Sequence, residues 1–245
     1  MALSPSLPMP PHSPAPIYRL GLFGGSFNPI HKGHLAVARE TVTRLDLDRL
    51  LFIPSGDPPH KPHGSLAPAQ DRYEMVRLAI AGAPKFEVSD IEITRRGKSY
   101  TIDTVRELRH LYGPSTALYF VIGLDAFLDL PTWREPEALL SACTFVVMSR
   151  PGQSYRTLAS VPFLTGVDLR RLDDLDAGTL SKLELPTASG GPIICLPLRP
   201  LTISASDIRR RINRGESLAN LLPPQVESYI LQHKLYREDH DRTHI

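Results

Sequence analysis

The stretch GLFGGSFNPIHKGHL, Gly21 to Leu35, decides how the chain reads. It follows YRLGLF (18–23), a short apolar run that reads as a buried strand. Gly24 and Gly25 then allow the backbone to turn with positive φ and to approach a ligand closely. Leu35, Ala38, Val42 and Leu45 recur at helical spacing, so a helix opens near His31 to His34. The two histidines are three apart and share one face. A helix N-terminus offers unpaired N–H groups and a positive dipole end to an anion. In an open α/β sheet this strand-to-helix edge is where ligands bind. The stretch therefore reads as a polyphosphate site. No GxGxxG or GxxxxGK[ST] loop occurs, so neither dinucleotide nor P-loop binding of those kinds is favoured.

Working outward, strands and helices alternate. RLLFIP (49–54), ALYFVIG (117–123), CTFVVMSR (143–150) and PIICLPL (192–198) read as strands, and FEVSDIEI (86–93) as a strand or two. Helices are expected over 71–81, 101–112, 135–140, 204–215 and 222–236, with glycine or proline at several ends. Apolar strands without polar alternation are buried on both faces. The expectation is a doubly wound, Rossmann-like α/β fold with a parallel sheet and a small C-terminal helical part over 204–237. Residues 152–192 break the rhythm and read as an insertion or a mobile excursion. The proline-rich residues 1–16 read as a disordered tail, as do residues 238–245 at the other end, leaving 17–237 as one domain.

Composition narrows the classes. The 245 residues are 42% apolar and 22% charged, with a net charge of +2. No strong field for nucleic acid or membrane follows from that balance. Two cysteines, Cys143 and Cys195, fit a reducing cytosol rather than a disulfide scaffold. Neither a spanning segment nor a secretory signal is read, so a cytoplasmic location is expected. HKPH (60–63) carries two histidines, but its prolines and lack of further ligands argue against zinc, and no protein metal site is expected.

The motifs GGSFNPIHKGH and ISASDIR (203–209) resemble the two signatures of the HxGH nucleotidyltransferase superfamily. PPHK (58–61), KSYTIDT (98–104), IGLDAF (122–127), PTWRE (131–135), MSRPG (148–152) and LLPPQVESYI (221–230) are similar to bacterial nicotinate-nucleotide adenylyltransferases. The resemblance runs from about residue 19 to 237. It implies transfer of AMP from ATP to nicotinate mononucleotide, with release of pyrophosphate, in NAD biosynthesis. The implied catalytic residues are His34, His31, Lys61 and Arg209. ATP is expected against Gly24, Gly25, Ser26, Phe27, His31, His34, Gly123, Asp125, Ile203, Ser204, Ser206 and Arg209. The mononucleotide is expected against Lys61, Tyr100, Thr101, Trp133 and Arg134, with Trp133 stacking on the flat ring. Mg²⁺ is expected to arrive with ATP, because it relies on phosphates rather than a protein cage.

Three features stay open at this level. Many relatives carry an amide where this chain has Ser55, Gly56 and Asp57, and a carboxylate beside anionic substrates is unexpected. The acceptor could instead be phosphopantetheine or nicotinamide mononucleotide, or the chain could be a nucleotide-binding regulator without turnover; His34 and Arg209, both present, favour an enzyme. A monomer and a homo-oligomer are equally compatible with the sequence.

Overall fold

The computed structural model describes residues 17–59, 66–150, 152–197 and 203–237. The first half is regular: β1 (Arg19–Gly25), α1 (Lys32–Arg44), β2 (Arg49–Pro54), α2 (Ala69–Ile80), β3 (Phe86–Val88), α3 (Ile91–Thr94) and α4 (Thr101–Tyr112). After these come β4 (Ala117–Gly123), α5 (Leu124–Leu128), α6 (Pro136–Ala142) and β5 (Thr144–Met148). The chain ends with α7 (Leu169–Asp176), β6 (Leu183–Leu185), β7 (Ile193–Cys195), α8 (Ala205–Arg214) and α9 (Pro224–Gln232).

The sheet order is β3-β2-β1-β4-β5-β7-β6, parallel throughout except for β6 against β7. This is the doubly wound α/β fold. Strand side chains alternate between faces, and each face is buried. Leu20, Leu22, Phe120, Phe145 and Val147 face the side covered by α4, α5 and α6. Phe23, Phe52, Val121 and Val146 face the side covered by α1, α2, α8 and α9. The chain winds from β1 outward to β3, then crosses back to β4 on the other side of β1. The carboxyl ends of β1 and β4 thus flank the point where the winding reverses, which opens a crevice.

Two local readings differ from expectation. Only Phe86–Val88 of the 86–93 segment is a strand; Ile91–Thr94 coils as α3. The strand has just three partners along β2 before Ser89 N–H bonds Phe52 O and the chain turns away. Residues 152–192 are not a loose excursion. Tyr155 and Leu158, together with Leu172 and Leu175 of α7, are fully buried in the α4-side core, and β6 adds an antiparallel edge strand. The Tyr155 hydroxyl donates to Leu196 O at 2.7 Å and lies 3.1 Å from Val147 O, tying the segment to the sheet. Its apolar residues are few and widely spaced, which hid this packing in the sequence. Residues 1–16 and 238–245, read as tails, lie outside the described residues.

Because Leu172 is fully buried, Leu172→Ala should cost about 2–5 kcal/mol. Chemical denaturation measures it, and a cost near zero would mean that this segment contributes nothing to the core.

Candidate active site

A cleft of about 840 Å³ opens at the carboxyl ends of β1 and β4. That volume suits a nucleotide-sized ligand. Its floor is the opening stretch. His31 is the N-cap of α1, in extended conformation, and its Nδ1 accepts His34 N–H at 3.4 Å. In return His34 Nδ1 accepts His31 N–H at 3.3 Å. This is a capping box built from two imidazoles. The rings stack with centroids 3.7 Å apart. Since both Nδ1 atoms accept, each neutral ring carries its proton on Nε2. Burial, reinforced by Arg150, lowers the His31 pKa to about 4. Burial, then His31, then Arg150 hold His34 well below the ordinary value. Both rings are therefore neutral Nε2–H donors at pH 7.

Gly33 makes the box possible. A Cβ at that position would lie 2.9 Å from His31 Nδ1. The expected free N–H groups of the helix are mostly used inside the protein. Lys32 N–H bonds Leu221 O at 3.0 Å, and the N–H groups of His31 and His34 serve the box. An anion at this helix end meets imidazoles rather than a row of bare amides.

The loop before α1 supplies amides instead. Gly25 O accepts Ser55 N–H at 2.9 Å, and Ser26 O accepts Arg72 Nη1 at 2.9 Å. In a trans peptide the following N–H points the opposite way. Those carbonyl bonds therefore turn Ser26 N–H and Phe27 N–H away from Ser55 and Arg72, in two residues that line the cleft. Positive φ falls on Phe27 (φ 44), and not on Gly24 or Gly25. Phe27 tolerates the left-handed conformation because its ring is locked edge-on to Phe23 and His34, at 5.5 and 5.1 Å. The glycines give room: a Cβ would lie 3.3 Å from the Phe120 ring at Gly24 and 3.3 Å from the Phe27 ring at Gly25, so each ring would have to move slightly.

The second signature closes the cleft from the far end of the chain. Ser204 caps α8, accepting Asp207 N–H at 3.1 Å. Arg209 donates to Asn28 O at 2.7 Å and to Ser206 Oγ at 3.3 Å. Ile203, Ser204, Ser206 and Arg209 all line the cleft. Gly123 and Asp125 line it at the end of β4, where a Cβ on Gly123 would meet Asp125 Oδ1 at 2.5 Å.

A side bay holds the remaining expected residues. Tyr100 precedes α4, which begins without a side-chain cap, so amides at Thr101 and Ile102 face no helical carbonyl. The Arg134 guanidinium lies 4.8 Å from the centre of the Tyr100 ring, joining the two loops. Trp133 packs edge-on to Phe120 at 6.5 Å, its backbone N–H bonded to Leu130 O at 3.0 Å. The Asp57 carboxylate is held by Lys98 Nζ at 2.9 Å, which offsets its charge beside an anion site. Lys61 and the histidines of HKPH lie outside the described residues.

Several contributors escaped the sequence reading. Arg150 faces the cleft mouth with its side chain 67% exposed, 4.0 Å from Asp125. Arg72 is 1% exposed and clamps the carbonyls of Ser26, Ser55 and Ala67 at 2.7–2.9 Å. Glu92 is buried at the bay wall, and burial raises its pKa although the Thr104 hydroxyl donates to it. Arg150 and Gly33 sat inside quoted motifs and had a visible signal. Nothing in the local pattern marked Arg72 or Glu92 as buried.

Known proteins resemble this chain in sequence and in fold. A family model described as Cytidylyltransferase-like matches residues 22–211. A "Probable nicotinate-nucleotide adenylyltransferase" of Pelobacter propionicus is 42% identical over 221 residues, 90% of this chain and 99% of that protein. One of the same name from Thermoanaerobacter is 38% identical over 91% of this chain and 96% of its own length. Among solved structures, Plasmodium falciparum nicotinic acid mononucleotide adenylyltransferase complexed with NaAD superposes with a TM-score of 0.66 at 19% identity. That match covers 89% of this chain and 97% of the other, and it supports the fold.

The lowered histidine pKa values carry a sign. The folded state keeps both rings neutral where the unfolded chain, with a pKa near 6.5, takes up protons. Stability should therefore be full above about pH 6.5 and fall as pH drops toward 4. Asparagine at either position keeps an acceptor for the box but does not titrate. In urea titrations between pH 7.5 and 5, the His31→Asn/His34→Asn protein should lose clearly less stability than wild type. Equal losses would mean that the histidines take up protons as readily in the fold as in the unfolded chain.

Proposed function

This chain belongs to the nicotinate-nucleotide adenylyltransferases within the cytidylyltransferase-like family, and we propose that it transfers AMP from ATP to nicotinate mononucleotide. The products are nicotinate adenine dinucleotide and pyrophosphate, a step of NAD biosynthesis. The observation that carries this reading is the pair of neutral imidazoles, Nε2–H left free by the cap, in a cleft that Ser26, Phe27 and Arg209 also line.

A phosphate oxygen of the mononucleotide attacks the α-phosphorus of ATP. The new P–O bond forms as the bond from the α-phosphorus to the bridging oxygen breaks, and pyrophosphate leaves with that electron pair. The attacking phosphate is already anionic, so no general base is needed. The chain must align two anions and stabilise the charge on the α-phosphate and the leaving group. His34 Nε2–H donates to the α-phosphate, with His31 beside it. The amides of Ser26 and Phe27 support the nucleotide. Arg209, at the start of α8, donates to the β- and γ-phosphates through its planar fork. Lys61 adds charge neutralisation. Asp125 receives the ribose at the end of β4.

The acceptor occupies the bay. Its ring stacks on Trp133, and its carboxylate meets the uncapped start of α4 at Tyr100 and Thr101 and the backbone of Arg134. A nicotinamide, lacking that charge, loses the charge-assisted part of these bonds.

The donor set fits Mg²⁺ carried on phosphate. Asp125 is the exposed carboxylate of the cleft, and among the described residues no cluster of three His, Cys, Asp or Glu could form a protein cage. Bound with ATP, the ion would screen phosphate charge.

The test is pyrophosphate release with each mononucleotide. Wild type should prefer the acid strongly. His34→Asn keeps the helix cap and should lower kcat by roughly 10²–10³ with little change in stability. Equal use of both acceptors would overturn the bay assignment, and wild-type kinetics in the variant would overturn the role of His34.

A further inference from the structure

Asn28 is 2% exposed, and three distant segments converge on it. Its Oδ1 accepts Ala67 N–H at 3.0 Å and the Tyr236 hydroxyl at 2.9 Å. Its carbonyl accepts Arg209 Nη1 at 2.7 Å. Ala67 lies just before α2, and Tyr236 lies beyond α9, 208 residues from Asn28. The phenol packs against the α1-side core. Burial raises its pKa, while Arg209 and Arg72 draw it down and Asp71 raises it further. The hydroxyl thus stays protonated and donates.

The peptide after Asn28 leads into Pro29 and has no N–H of its own. Its carbonyl, which orients Arg209, is therefore anchored through the Asn28 side chain rather than through a ladder bond. Arginine carries large rotamer freedom, and among its described bonds the other, to Ser206, is the longer at 3.3 Å. We propose that Tyr236 and Asn28 form a latch through which the C-terminal segment positions Arg209 for the triphosphate. Both are positioning residues, since neither needs to touch a nucleotide. The inference rests on the reading that Arg209 faces ATP.

Tyr229 provides a matched control. It also ties the C-terminal part to the body through a hydroxyl, donating from α9 to Asp71 Oδ1 at 2.8 Å. Tyr236→Phe and Tyr229→Phe should lower the melting temperature alike. Only Tyr236→Phe should weaken binding of a non-hydrolysable ATP analogue, by about fivefold, with the KM for ATP rising in step and the KM for the acceptor unchanged. Asn28→Ala, which removes both acceptor bonds, should weaken analogue binding in the same way. Unchanged analogue affinity in folded Tyr236→Phe, or equal weakening in Tyr229→Phe, would overturn the latch. Analogue binding is read without turnover, so it tests the latch even if wild type forms no dinucleotide.

Discussion

The structure of the site depends on one reciprocal contact, in which His31 and His34 each accept the other's backbone N–H. It starts α1, and it fixes which ring nitrogen carries the proton. Burial then keeps both rings neutral. A neutral donor suits a cleft that must accept a highly charged ligand and release products that are also charged. Full cations there would bind both states tightly, and tight binding of substrate and transition state alike accelerates nothing. The same contact demands Gly33, since any Cβ would strike the His31 ring.

Around that pair, two arginines hold backbone. Arg72 is buried against three carbonyls, and Arg209 grips the carbonyl of Asn28. By fixing the carbonyls of Ser26 and Ser55, Arg72 turns the N–H groups of Phe27 and Gly56 the opposite way. Arg209 also closes the fold on itself, joining residues 181 apart. Leu221 does the same by accepting Lys32 N–H. The cleft therefore forms only when the first and last parts of the chain have docked on the sheet. Function and global stability are coupled through this closure.

Much of this was legible in the sequence, for identifiable reasons. The parallel sheet could be read because β1, β2, β4 and β5 are short apolar runs buried on both faces. The two signatures could be read because glycines, histidines and a capped arginine helix sit in fixed order. What stayed hidden depends on distance or on competition. Which backbone amides remain free cannot be read locally: the start of α1 looked open, but Leu221 and the histidines fill most of it. The left-handed turn was expected at the glycines and falls on Phe27, because packing of its ring outweighs local preference. Tyr155, Leu172 and Leu183 are fully buried or nearly so within a polar segment, and nothing in their spacing says which core they join. The charge of Asp57 looked misplaced until Lys98, 41 residues on, was found to hold it.

The central claim is that His31 and His34 are neutral Nε2–H donors before any ligand arrives. Nitrogen-15 correlation spectra of the imidazoles in the free protein at pH 7 test it directly. Two rings protonated on Nε2 alone are expected, with titration beginning only well below pH 6.5. A ring protonated on Nδ1, or either ring already charged at pH 7, would contradict the reciprocal cap and the mechanism built on it.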